Sequence, residues 1–196
     1  MKKMKIILFV MAIFTMNAIY AQSYKIDVTN STLKWHGKKV TGEHFGNIGL
    51  KDGILLLDND QISGGKFIID MTSITNTDLT DAGYNAKLVG HLKSDDFFGV
   101  EKHPEALLEI IKSSAFKNNV ATIDGNLTIK KIKHPVTFTV TKDGNAYSAE
   151  IVVDRSKYDV RYGSGSFFDN LGDNMIYDEF TMNVKIMLTQ AINLGS

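Results

Sequence analysis

The chain has 196 residues, with 22 basic and 22 acidic side chains and no cysteine. A balance this even gives no electrostatic footprint for a nucleic-acid partner, and the absence of cysteine removes disulfide staples and thiolate chemistry alike. The length suits one domain whose stability comes from burial.

The first segment reads MKKMKIILFVMAIFTMNAIYAQ. Lys2, Lys3 and Lys5 precede an apolar run from Ile6 to Ile19 that only Thr15 and Asn17 interrupt, and Ala21 offers a small residue before Gln22. This is the pattern of a secretory signal peptide over 1–21, leaving a domain over 22–196 that is exported to a periplasmic or extracellular space. The alternative, a membrane anchor, needs roughly 20 apolar residues, and no other stretch of 22–196 approaches that length, so no integral membrane segment is expected there. No cysteine follows to carry a lipid. Without the three leading lysines the balance falls from 22 basic residues to 19 against 22 acidic, a net of about −3.

From there apolar and polar residues alternate with period two, the mark of strands with one buried and one wet face. Strands are expected at about 31–41, 46–57, 61–71, 106–116 and 120–131, followed by VTFTV (136–140), AYSAEIVVD (146–154) and FTMNVKIML (180–188). In the last of these Phe180, Met182, Val184, Ile186 and Leu188 share a face. Gly53, Gly64-Gly65, Asn118-Asn119 and the Lys133–Pro135 region punctuate the series, and Asp143-Gly144 signals a hairpin. Eight such strands imply a sandwich or a closed barrel, and a barrel of this size is either filled by its own side chains or holds one small ligand.

Two stretches interrupt the meander. Residues 72–104 contain AGYNAKLVGHLKS, where Ala82, Ala86, Leu88 and Leu92 line one side of a short helix. An insert this long is seldom plain linker. The other, 155–178, is rich in glycine, asparagine and aromatics.

Few residues suggest chemistry. His36 and His44 flank an expected turn near 42–45, but without a paired or helical zinc spacing they read as turn and surface histidines. His103 and His134 each precede a proline at a loop junction or turn. No GxSxG occurs, and GSGSFF (163–168) lacks the strand, helix and lysine of a phosphate loop. Asp95-Asp96 and Asp178-Glu179 are adjacent pairs whose side chains diverge, and Ser94 or Asp95 is expected to cap a turn carrying Asp96.

Five stretches together carry a resemblance: LKWHGKKVTGEHFGNIGLKDG (33–53), GGKFIIDMTSITNTD (64–78), KLVGHLKSDDFFGVEKHPEALLEI (87–110), GNLTIKKIKHPVTFTV (125–140) and VDRSKYDVRYGSG (153–165). In this order, behind a signal peptide, they resemble the YceI-like family of exported bacterial proteins, lipocalin-like barrels that bind polyisoprenoid or other long-chain lipids. The Gly-x-Trp signature of true lipocalins is not matched, since the chain reads Lys34-Trp35-His36. The resemblance implies an all-β fold: an eight-stranded antiparallel lipocalin-like β-barrel with a helical insert between the third and fourth strands. It also implies an elongated apolar tunnel and a homodimer in many members, with no catalysis, metal or cofactor beyond a bound isoprenoid or fatty-acyl lipid.

Mapped onto inward positions, the expected ligand-lining residues are Trp35, then Phe67, Ile69 and Met71, then Leu108 and Ile110, Leu127 and Ile129, Phe138 and Val140, and Met182 and Val184. Leu92, Phe97 and Phe98 are expected to face the barrel mouth from a lid. His91, Asp70 and Arg155 match polar positions of the family's motifs, as a cluster holding the insert on the barrel, with His91 and Arg155 also candidates for a ligand head group. The expected function is an exported protein that sequesters or carries a long-chain isoprenoid or acyl lipid. Two rivals remain: an enzyme acting on a lipid or quinone-like substrate, with His91 as acid/base and Asp70 or Asp78 orienting it, and a metal- or haem-binding barrel using His36, His44 or His91.

Overall fold

The computed structural model describes residues 22–192, so the expected signal peptide over 1–21 lies outside the described residues. Nine antiparallel strands form: β1 (Gln22–Ile26), β2 (Thr32–Lys39), β3 (Gly42–Asp58), β4 (Gln61–Asp70), β5 (Glu105–Ser113), β6 (Val120–Ile129), β7 (Ile132–Asp143), β8 (Ala146–Asp154) and β9 (Ile176–Ile192). One α-helix, α1 (Ala82–Lys93), stands between β4 and β5. Each strand from β2 to β9 pairs with the next, and β9 pairs back with β2, so the sheet closes as an eight-staved barrel.

The ninth strand does not add a stave. β1 pairs with the far ends of β3 (Ile54–Leu57) and β9 (Leu188–Ile192), while β2 pairs with their near ends. One broken strand therefore fills the slot between two long ones. At the break, Asp27 accepts from the Thr29 and Asn30 N–H groups at 3.1 Å each and from Asn30 Nδ2 at 2.7 Å. Beyond it, Ser31 Oγ accepts from Met187 N–H at 2.9 Å. Because Gln22–Ile26 counts as a strand, the helical insert falls between the fourth and fifth strands, not the third and fourth.

Two turns differ from expectation. The β2–β3 hairpin turns at Val40-Thr41, with Lys39 opposite Gly42, so His44 lies on a strand and not in a turn. The inward alternation of Ile48 and Leu50 simply continues back through Gly46 to His44. The β6–β7 turn is made by Lys130-Lys131 (φ 51° and 65°), which places Pro135 inside β7 opposite Asn126. A strand proline needs an edge without a ladder partner. β7 supplies one, since only Val140–Asp143 pair with β8 and residues 132–139 have no β8 partner.

The up-and-down order brings the ends of β2, β4, β6 and β8 to one rim, together with the starts of the strands that follow them. Both irregular segments, 71–104 and 155–175, leave from that rim. At the opposite rim Ile26, 2% exposed, seats against Gly53, where a Cβ would come within 2.7 Å of it. Ile26→Ala is expected to lower the unfolding free energy by about 2–5 kcal/mol, read as a lower urea midpoint with an unchanged m-value. A loss below about 1 kcal/mol would show that β1 is dispensable to the barrel.

Candidate functional site: the barrel cavity and its lid

The inward faces of the strands surround a cavity of about 210 Å³. Phe67 and Ile69 of β4, Leu108 and Ile110 of β5, Leu127 and Ile129 of β6, Phe138 and Val140 of β7, and Met182 and Val184 of β9 all line it, with Trp35 and Met71. Leu92, Phe97 and Phe98 close over it from the insert, and Arg155 reaches it from the end of β8. Of the residues expected there, only His91 is not in the wall. Sequence reasoning missed Leu33, Ile48, Leu50, Ile123, Ile151, Val153 and Ile186, which the same alternation marks, and Leu55, whose parity the register shift at Leu50/Asp52 reverses. It also missed Ile74 and Tyr177, which sit in or beside irregular segments and carry no periodic signal.

The insert is tied down by a polar lattice along the exposed half of β3. Asp70 caps the single 3₁₀ turn Met71–Ser73, accepting from Thr72 N–H at 2.9 Å and Thr72 Oγ at 2.6 Å. The chain then resumes the ladder on β3, with Thr75 N–H donating to Asn47 O (2.9 Å) and Thr77 N–H to Phe45 O (3.0 Å). Gly46 makes this approach geometrically feasible. A Cβ there would stand 1.9 Å from Thr75 O and 2.8 Å from Trp35 Nε1, where the indole N–H now donates to Thr75 O at 2.9 Å.

Farther along, Asp78 pairs with His44 Nδ1 (2.7 Å), accepts from Phe45 N–H (2.8 Å) and is hydrogen-bonded to Asn76. Burial pushes the Asp78 carboxyl up, but the hydrogen bonds from His44, Phe45 N–H and Asn76 outweigh it and hold the group below its ordinary 3.8. Asn85 of α1 donates to Asn76 O (3.1 Å) and Leu79 O (3.0 Å), and Asp81 caps the helix by accepting from Tyr84 N–H (2.9 Å).

No side chain of α1 itself is buried, so the helix rests on the rim as a cover and adds little to the core. Ser94 ends it. Its N–H donates to Gly90 O and His91 O and its hydroxyl to His91 O (2.8 Å), so it caps the preceding helix's C-terminus instead of a following turn. Asp95 pairs with Lys102.

Arg155 is 2% exposed, and its donors are occupied by backbone carbonyls: Val160 and Tyr162 (both 2.9 Å), Ile176 (3.0 Å) and Tyr177 (3.2 Å). Asp178 Oδ1 lies 3.4 Å away, and the guanidinium sits 5.3 Å over the Phe97 ring. Burial presses its pKa down while Asp178 and Asp154 oppose that. A guanidinium bonded in this way folds the 155–178 segment and clamps the lid phenylalanine, and has little left for a ligand head group.

His91 packs edge-on against Tyr162 (4.3 Å between ring centroids) and Phe97 (5.9 Å), joining the two irregular segments through rings. Among the described residues neither Asp70 nor Asp78 is hydrogen-bonded to it, since Asp70 caps the 3₁₀ turn and Asp78 holds His44. His36 pairs with Glu43 (3.0 Å), and no group of three or more His, Asp or Glu side chains gathers among the described residues as for a metal ion. No helix among them is long and apolar enough to cross a membrane.

Comparisons with known proteins agree with this architecture. A family model described as YceI-like domain matches residues 24–188. A UPF0312 protein of Pseudomonas aeruginosa is 30% identical over 129 residues, and the chain spans 64% of that relative's length and matches over 64% of its own. Burkholderia cenocepacia BcnA superposes with a TM-score of 0.62 at 21% identity, over 84% of this chain and 99% of that one. A polyisoprenoid binding domain from Saccharophagus degradans, implicated in plant cell wall breakdown, gives 0.57 at 12% identity, over 84% and 97%. The Campylobacter jejuni YceI protein gives 0.52 at 18%, over 72% and 83%. At these identities the structural likeness concerns the fold.

Gly46→Ala is expected to detach the strap, so that the Thr75 and Thr77 amides exchange at least about tenfold faster, roughly 1.4 kcal/mol of lost protection, while core strand amides are unaffected. Equal exchange in both proteins would refute the clash. Asp78 supplies a pH test. Its folded value lies below the unfolded one, so its bonds stabilise fully above about pH 3.8 and are lost as pH falls through the depressed value. Trp35, the chain's one tryptophan, should keep constant emission from neutral pH down to about 5 and change below 3.8. Asp78→Ala should show the changed emission already at neutral pH.

Proposed function

The chain belongs to the YceI-like family, and from that premise we propose that it binds a long-chain isoprenoid or acyl lipid in the barrel cavity and carries or sequesters it without chemical change. The observation that carries the reading is the cavity's wall. Apart from Trp35, Tyr147, Arg155 and Tyr177 it is wholly aliphatic, phenyl or thioether, and the Trp35 and Arg155 donors are already bonded to backbone carbonyls. Such a wall rewards apolar area and little else. Each buried methylene contributes about 0.8 kcal/mol, so ten of them supply roughly 8 kcal/mol before ordering costs are subtracted. The lid fits the same reading, since Leu92, Phe97 and Phe98 present apolar surface to the cavity while the polar lattice stays on its outer side. Binding of a polyisoprenoid is named for the Saccharophagus domain of the same fold, which supports the ligand class by analogy. Export rests on the pattern of residues 1–21.

The enzyme reading requires His91 to act on the ligand, yet His91 lies outside the wall and packs on the rings of Phe97 and Tyr162. Native mass spectrometry of the protein as purified, followed by solvent extraction, is expected to release one long-chain lipid per chain. His91→Ala is expected to retain that lipid unaltered in mass. Protein that emerges without lipid and takes up none from a mixed lipid extract would end the carrier proposal. A ligand converted by the natural protein and left intact by His91→Ala would favour the enzyme.

A further inference from the structure

The cavity has a blind end, and its floor can be read from the register. Tyr147, Ile186, Leu55 and Ile123 are wall residues, and each is followed two positions farther from the mouth, along its strand, by a residue that is not, or by the turn. Leu57, Ala121 and Leu188 occupy those lower positions, all buried, with Ile26 opposite Leu188. On β4 the wall residue Ile62 stands level with Leu57, and the turn at 59–60 follows it. Tyr147 is the largest side chain at the boundary, 4% exposed, opposite Ile186 on β9 and Lys142 on β7. Its ring lies 6.3 Å from that of Phe116, over which Lys142 Nζ sits at 5.9 Å while pairing with Asp60 at 3.3 Å. The tyrosine is thus braced from beneath by a ring and a cation that the wall does not share.

At the other end, Arg155 and Trp35 are occupied, and Tyr177 is half-exposed at the rim. A bound amphiphile therefore finds partners for its chain inside and for its head only at the mouth. Along β8 the path from Tyr147 to Val153 is about 20 Å of strand, which at the usual barrel tilt of about 40° gives roughly 15 Å of depth between the rim and the floor.

Resting on the lipid-carrier reading, we infer that the Tyr147 ring is the stop against which the far end of the ligand chain abuts, so that this residue sets the longest single chain the protein holds with its head at the mouth. The site then selects single-chain amphiphiles by length, not by head group.

The test is a series of straight-chain fatty acids and prenyl alcohols of increasing length, titrated against the full exported chain with native mass spectrometry as readout. Affinity is expected to rise about fourfold per added methylene, the equivalent of ~0.8 kcal/mol, up to a limiting length and then to stop rising. Tyr147→Ala should move that limit longer by at least two carbons, and Tyr147→Phe, which keeps the ring, should restore it. Ala149→Leu, one step nearer the mouth on the same face, should move the limit shorter, and it decides the matter if Tyr147→Ala fails to fold. If the natural protein binds the series but Tyr147→Ala or, failing that, Ala149→Leu leaves the limit where it was, the stop is overturned and the carrier reading stands. If no chain of any length binds, both fall together.

Discussion

Closure of the backbone ladder is the constraint from which the rest of this molecule follows. A sheet left open would expose unpaired N–H and C=O groups along two edges, and a strand pair can close into a ring only if the outermost strands meet in register. Here β2 meets β9 from Thr32–Lys185 to Lys39–Ile176, and β1 continues the same slot for the farther halves of β3 and β9. Once closed, eight staves enclose an interior that side chains can just about fill. Whether a cavity remains then depends on the wall residues. Gly37 in the wall, where a Cβ would meet nothing within 4 Å, and Ala106 and Ala149 facing inward keep this interior from filling.

The polar groups of the two irregular segments serve construction. Arg155 holds carbonyls of the Val160–Tyr162 turn and of the start of β9, giving the segment a backbone-directed scaffold that its own sequence cannot make from helix or strand. Asp78, Asn76 and Asn85 do the corresponding work for the insert, from β3 to α1. His91 and Phe97 then join the two segments by ring contacts, so the cover over the mouth is one connected layer although it comes from distant parts of the chain.

Much of this is legible in the sequence alone, for a physical reason. Period-two alternation reports a strand's inner face directly, and Phe67-Ile69, Leu108-Ile110 and Met182-Val184 fall where it puts them. It fails where the period slips. Register shifts at Leu50/Asp52 and Ile110/Lys112 change which parity faces inward, and β1, five residues that bury Ser23 and Ile26 around a register shift, never alternates long enough to be seen. Contacts between distant segments leave no local trace: nothing in GHLKS announces that His91 will rest on Tyr162, and nothing in GEHFG says that Gly46 must lie beneath Thr75. The roles of Arg155 and Asp78 are of the same kind, since neither the backbone carbonyls that Arg155 holds nor the distant His44 and Phe45 N–H groups that Asp78 holds have a sequence signature.

The departure of β7 from β8 leaves one stretch of strand, residues 132–139, with no ladder partner on one side. An open strand edge of this kind is a place where a second extended chain can add itself by backbone pairing. Its composition blocks that addition. Pro135 has no N–H to donate, and Lys133 is held to Glu109 at 2.6 Å across the sheet. At the rim end, Tyr158 lays its ring against His134 at 5.3 Å while Lys130 Nζ donates to Asp159 O at 2.6 Å. The proline that reads as a turn residue in the sequence thus makes this open stretch of β7 a poor template for a further strand.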